Sequence, residues 1–212
     1  MSKQGIIFDV DGTLWDSAAG VAKAWTKVVN EKFSGGMVIS EENIKKVMGL
    51  TMDVLADRIF SMVDKKDRMK LLEECCAFEN EYLLKNGAKL YPDLEETLKI
   101  LKDKYSLYIV SNCQSGYIEA FLKYYGFEKY FEDIECYGNN LLSKGDNIKL
   151  VVERNGLDDA CYVGDIQGDY DSSVDAGVKF IHAAYGFGKI DAEVPKIDRL
   201  AELPNEVGKI LR

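Results

Sequence analysis

Short, largely apolar runs separated by amphipathic stretches constrain this chain more than any other feature. Ile6-Ile7-Phe8, Leu107-Tyr108-Ile109-Val110, Ala160-Cys161-Tyr162-Val163 and the segment from Val178 to Ala183 are too short for core helices. Runs of this kind read as strands buried on both faces. Between the later ones, apolar residues return at helical spacing. Leu94, Leu98 and Leu101 follow the turn Tyr91-Pro92-Asp93, residues 116–125 end at Gly126, 145–154 end at Asn155-Gly156, and 169–176 end at Gly177. Ile134-Glu135-Cys136 reads as one more short strand. Strands alternating with helices predict an α/β protein with a doubly wound parallel sheet. Such sheets place their chemistry at the carboxyl ends of the strands.

The stretch between the first two strands has a different character. Ala18, Val21, Ala22, Trp25, Val28 and Val29 share one helical face. Ser40 is placed to cap a helix carrying Ile44, Val47 and Met48, and Met52, Leu55 and Ile59 predict another. A long helix over 66–85, with Met69, Leu72 and Cys76 along one stripe, stops at Asn86-Gly87. No strand is expected in this stretch. The predicted division is therefore a core of 1–15 and 88–212 and an inserted, all-helical domain of 16–87. Its hinges would be Leu14–Ser17 and Gly87–Leu90. A chain of 212 residues, 47% hydrophobic, can fill both cores.

Asp9-Val10-Asp11-Gly12-Thr13 stands where the first strand opens into a turn. A calcium loop of the EF-hand type is excluded, because Thr13 and Leu14 occupy the positions that need an acid or amide and a glycine. Two carboxylates at a strand end suit phosphoryl transfer. Asp9 is the candidate nucleophile, and Asp11 is placed to protonate the leaving oxygen and then take a proton from water. Gly12 allows backbone N–H groups near a phosphate. Ser111 and Asn112, after the second strand, offer a hydroxyl and an amide to phosphate oxygens. Lys144 would hold nucleophile and phosphate together, with Lys149 out of reach further along its helix. Asp165 follows Gly164 at the end of the third strand and, with Asp9, supplies carboxylates for Mg²⁺. Asp169 would stand behind them, steadying Lys144 or a metal water and capping its helix. Each segment alone has an ordinary reading as a turn, a cap or a surface lysine. Hydrolysis of phosphate monoesters demands accelerations of up to ~10²¹-fold, which requires all of them together.

Charge and composition narrow the partners. Lys and Arg number 27 against 36 Asp and Glu, a net charge of -9, which disfavours nucleic-acid backbones but not a small phosphorylated metabolite. The five cysteines form no C-x-x-C pair and read as reduced thiols of a cytoplasmic protein. No run resembles a signal peptide or a membrane helix. His182, the single histidine, sits in an apolar strand and reads as structural. Its solitude argues against histidine-based hydrolysis. A monomer or a homodimer is expected.

In this order, Asp9-Val10-Asp11-Gly12-Thr13, Ser111-Asn112, Lys144 and Gly164-Asp165-Ile166-Gln167-Gly168-Asp169 resemble the four motifs of the haloacid dehalogenase (HAD) superfamily, along nearly the whole chain. The resemblance implies a Rossmann-like core, an aspartyl-phosphate intermediate, and Mg²⁺ bound by the Asp9 and Asp165 side chains and the Asp11 backbone carbonyl. The inserted helices resemble the family's cap. Asp11 separates the chain from true dehalogenases, which lack that acid. Met48-Gly49-Leu50-Thr51-Met52 has Met where phosphonoacetaldehyde hydrolases have a Schiff-base lysine. Met52 and Val21 stand where β-phosphoglucomutases have an arginine and a histidine. The chain is thus most similar to phosphoglycolate phosphatases. A phosphomutase, a 5′-nucleotidase and a non-catalytic metabolite-binding protein are the alternatives. Trp15, Thr51, Met52, Gln114 and Tyr117 are the candidate specificity residues.

Overall fold

The computed structural model describes residues 2–32 and 36–211. Its centre is a six-stranded, all-parallel sheet in the order β5-β4-β1-β6-β7-β8. The strands are β1 (Gln4–Phe8), β4 (Ser106–Ser111), β5 (Asp133–Cys136), β6 (Asp159–Gly164), β7 (Lys179–Ala183) and β8 (Lys196–Ile197). Two further strands, β2 (Trp15–Asp16) and β3 (Lys89–Leu90), pair with each other. Alternation along the strands feeds two cores. Ile6 and Phe8 of β1 face one side of the sheet, with Leu107, Ile109 and Val163. Ile7 faces the other, with Tyr108, Val110 and Tyr162. Both faces are covered, so the alternation appears in sequence as continuous apolar runs.

Ten helices accompany the strands among the described residues. They are α1 (Ala18–Lys32), α2 (Glu41–Lys45), α3 (Met52–Ile59), α4 (Lys65–Asn86), α5 (Leu94–Lys102), α6 (Tyr117–Tyr125), α7 (Tyr137–Asn140), α8 (Lys144–Arg154), α9 (Gln167–Ala176) and α10 (Leu203–Ile210). The first four lie in the chain between β1 and its sheet neighbour β4. They pack mainly on one another, α1 against α2 and α4 and α3 against α4, while α4 also rests on α6. The aromatic stack of Trp25 on Phe60, 5.9 Å between centroids, lies inside this helical group.

The two crossings between core and helices are not loose linkers. Trp15 pairs with Leu90 and Asp16 with Lys89 in an antiparallel ribbon, and the Tyr91 N–H donates to the Leu14 carbonyl. Gly87 ends α4 with φ +61° and ψ −162°, a conformation open essentially to glycine.

Three expected elements differ in detail. The Ser40 cap forms a full capping box with Asn43, but α2 stops at Lys45 and Val47 and Met48 lie in turns. That early stop turns residues 47–50 into the wall of the cavity described below. Helix α9 starts at Gln167 rather than at Asp169, because Asp169 satisfies the free N–H groups of the entry turn from inside the helix. The Lys144 helix begins at Lys144 itself, capped by the Ser143 hydroxyl accepting from the Asp146 N–H.

Candidate active site

The sheet order reverses at β1, which is flanked by β4 and β6. A crevice therefore opens at the carboxyl ends of these three strands. Asp9 and Asp11 leave β1 there, Ser111 and Asn112 leave β4, and Asp165 leaves β6. A cavity of about 50 Å³ lies above them, lined by Asp9, Asp11, Ser111, Asn112 and Tyr117 on the core side.

Lys144, at the first turn of α8, reaches under β1. Its Nζ lies 2.6 Å from Asp169 Oδ1 and 3.1 Å from Asp9 Oδ1, with both sides of each pair buried. Burial works against its charge, yet Asp169 and Asp9 together hold the ammonium above its ordinary pKa. Asp9 is 2% exposed, and its Oδ1 makes no hydrogen bond in line with a donor. Burial pushes its carboxyl up to about 7, against the pull of Lys144. The Thr13 hydroxyl is likewise buried without a partner.

Asp11 is held through one oxygen. Its Oδ1 accepts from the Ser17 hydroxyl at 2.6 Å, the Tyr117 hydroxyl at 2.7 Å and the Trp15 indole at 3.0 Å. Burial raises its pKa, and the three donors oppose that rise. The carboxyl is thus fixed in orientation while its second oxygen stays out of this cluster of donors.

Asp165 accepts the Phe187 N–H at 2.7 Å. Burial first, then the charges of Asp169 and Asp9, hold its pKa well above the usual carboxylate range. Carboxylate oxygens of Asp9, Asp165 and Asp169 all lie within 4.8 Å of one another. Three buried acids with one lysine leave negative charge uncompensated, and an all-oxygen donor set suits a small hard cation. Asp169 is already engaged on both oxygens, by Lys144 on one and by the Asp165 and Ile166 N–H groups on the other. Asp9 and Asp165 are therefore the residues that fit a divalent ion.

Several expected roles need correction. Gly12 does not present its own N–H to the crevice, since that group donates to the Trp15 carbonyl at 2.9 Å. What the site requires of Gly12 is φ +80° and the absence of a side chain, because a Cβ would lie 2.1 Å from Asp165 Oδ2. The Asn112 amide donates to the Gly49 carbonyl at 2.9 Å, so it ties the core to the 47–50 loop. Trp15 is completely buried against Tyr117, Phe121 and Tyr125 and does not line the cavity. Thr51 is exposed at the start of α3, also off the lining, and its side chain makes no capping bond. Ser111, Met52, Gln114 and Tyr117 do line it, although Tyr117 spends its hydroxyl on Asp11. Lys149 is exposed and paired with Asp146, away from the site. His182 is buried with Nε2 3.2 Å from the Asp165 carbonyl, a structural contact, and burial lowers its pKa.

Two site residues carried no readable signal. Ser17 looked like part of a hinge, and Glu79 lies on the buried stripe of α4, where a helix reading expects an apolar residue. All five cysteines are free thiols. Among the described residues no helix is long and apolar enough to cross a membrane.

The sheet, its reversal point and the acids gathered there define a Rossmann-like α/β hydrolase with an aspartate at the end of its central strand. The chain belongs to the haloacid dehalogenase-like hydrolases, whose family model matches residues 6–183. It is 28% identical over 214 residues to a phosphoglycolate phosphatase of Aquifex aeolicus (strain VF5), covering 97% of this chain and 95% of that protein. It is also 28% identical to the phosphoglycolate phosphatase of Vibrio parahaemolyticus, covering 93% of each. The fold matches the crystal structure of a predicted phosphatase from Clostridium acetobutylicum with a TM-score of 0.81 at 22% identity, over 99% of this chain and 100% of that one.

Proposed function

We propose that this protein is a Mg²⁺-dependent phosphatase that hydrolyses a small phosphate monoester through an aspartyl-phosphate on Asp9. One observation carries the reading. A buried carboxylate without an in-line hydrogen bond, Asp9, shares a cavity with a second carboxylate, Asp11, while Lys144 stands 3.1 Å from the first. The names of the relatives, phosphoglycolate phosphatases, support phosphate-ester chemistry and put 2-phosphoglycolate into any substrate panel.

Asp9 attacks phosphorus, forming a bond from its carboxylate oxygen as the bond to the leaving alcohol breaks. Asp11 gives its proton to the departing alkoxide. It then takes a proton from the water that attacks the aspartyl-phosphate, which releases inorganic phosphate and restores both acids. Lys144 keeps Asp9 ionised and in place, and Asp169 fixes Lys144. Ser111 donates its hydroxyl to a phosphoryl oxygen. Asp9 and Asp165 would hold the divalent cation, which would offset their charge and polarise the phosphoryl group. Residues 16–87 form the cap, with the β2–β3 ribbon as its attachment, and its closure excludes bulk water.

The decisive assay is release of phosphate or p-nitrophenol from p-nitrophenyl phosphate by the wild type, the wild type with chelator, and Asp9→Asn. Activity only in the first supports the proposal; equal activity in all three removes Asp9 and the metal from the mechanism. A phosphomutase is disfavoured because Val21 and Met52 line the cavity as apolar groups, and no lysine, arginine or histidine is among the described residues lining it to hold a second phosphate.

A further inference from the structure

The half of the cavity away from Asp9 would receive the leaving alcohol, and its walls are mostly apolar. Val21, Ile44, Val47, Leu50, Met52 and Leu55 come from the helical insertion. Two groups break the pattern, Trp25 of α1 and Glu79 of α4. Glu79 is 3% exposed and accepts the Trp25 indole N–H on Oε2. Gln114 stands beside it and donates its own amide to Asn80. No lysine or arginine is among the described residues lining the cavity, and no ion pair reaches Glu79 among them. A carboxyl in such a place either keeps its proton or takes a cationic guest. Burial accordingly pushes Glu79 up to about 8.

We infer that the leaving alcohol of the substrate carries an ammonium group, seated against the Glu79 carboxylate whose Oε2 holds the Trp25 indole N–H. This rests on the phosphatase reading and narrows its substrate class to short amino-alcohol phosphates. The cavity is small, about 50 Å³ for both ends of the ester, which favours a short leaving alcohol. An ester with a carboxylate at the same position would face Glu79 with no lysine or arginine among the described lining residues to meet it.

The test compares three two-carbon esters that differ only at the far end: 2-aminoethyl phosphate, 2-hydroxyethyl phosphate and 2-phosphoglycolate. Phosphate release at pH 8 with Mg²⁺ gives kcat/KM for the wild type and for Glu79→Gln, which keeps an oxygen for Trp25. In the wild type the amine ester is expected to exceed the carboxylate ester by tenfold or more, with the hydroxyl ester between. In Glu79→Gln the amine-to-carboxylate ratio should contract to about threefold or less, mainly through KM. A wild type that hydrolyses 2-phosphoglycolate as well as the amine ester overturns the inference, as does an amine preference that survives in Glu79→Gln. The wild-type ranking alone decides the matter if the variant does not fold. Hydrolysis of p-nitrophenyl phosphate with none of the three esters cleaved sinks this inference and spares the phosphatase reading; no hydrolysis of any ester sinks both.

Discussion

At the scale of single residues, the site is defined by how its carboxyls are held. Replacing Asp9 by Asn removes the proposed nucleophile and one of three crowded negative charges, so turnover of p-nitrophenyl phosphate should fall by at least about a thousandfold while the fold persists. Circular dichroism beside the rate assay checks both halves. Tyr117→Phe is subtler. It takes one of three donors from Asp11 Oδ1, and a hydrogen bond to a charged group is worth about 1.5–3 kcal/mol. With Ser17 and Trp15 still bonded, the loss in kcat should be near the lower end, about tenfold. Because Tyr117 lowers the Asp11 pKa, its removal raises it, and the descending limb of the pH–rate profile should move to higher pH. An unmoved limb would take Asp11 out of the proton transfer. Glu79 gives a stability signature. Its folded pKa of about 8 lies above the ordinary 4.5, so between those values the native state holds a proton that the unfolded chain has released. Stability from this group therefore falls as pH rises through 4.5 and levels off above 8. Urea unfolding of wild type and Glu79→Gln should diverge over that window by a few kcal/mol in favour of the variant.

At the scale of elements, the ribbon β2–β3 and the end of α4 decide how the helical insertion joins the sheet. Gly87→Ala should cost about 1–3 kcal/mol of unfolding free energy for the backbone alone. A Cβ there would also lie 2.2 Å from the Tyr124 ring, which must shift. An unchanged urea midpoint would show that this crossing relaxes freely. Such junctions are also where the sequence is least legible. β1, β4, β6 and β7 are readable because parallel strands covered on both faces are mostly apolar, even β7 with its Lys179 and His182. Helices α4, α5 and α6 are readable because their ends carry Gly87, a Pro92-Asp93 turn and Gly126. β2, β3 and β8 have two residues each, too few to show any period. Among site residues, Asp9, Asp11, Lys144 and Asp165 stand out as charges at strand or helix ends, where a core has no use for them. Trp15, Ser17 and Tyr117 converge on Asp11 from β2, the start of α1 and α6, and no local pattern announces a meeting across 106 residues. Glu79 hides in the same way, as a polar residue on a buried face.

At the scale of the whole molecule, charge links folding to the proposed ion. The chain carries a net charge of -9, and Asp9, Asp165 and Asp169 set three acids against Lys144 at the one point where both halves of the sheet meet. The mutual repulsion of these acids opposes the folded state, and an unfolded chain disperses it. A divalent ion that binds only the folded arrangement must therefore raise stability by mass action, about 2.7 kcal/mol at a hundredfold excess over its Kd. For a chain of this length each kcal/mol moves Tm by about 2–4 °C, so added Mg²⁺ should raise Tm by roughly 5–10 °C. Screening of the general negative charge would act through ionic strength alone, and NaCl at matched ionic strength is the control. Asp165→Asn removes a proposed ligand and leaves Asp9, Lys144 and Asp169 in place, so its Tm without metal should be at least that of the wild type, and Mg²⁺ should move it no further than NaCl does. A Mg²⁺ shift of equal size in Asp165→Asn would place the ion elsewhere on the acidic surface and break the link between the acid cluster and the chemistry proposed for it.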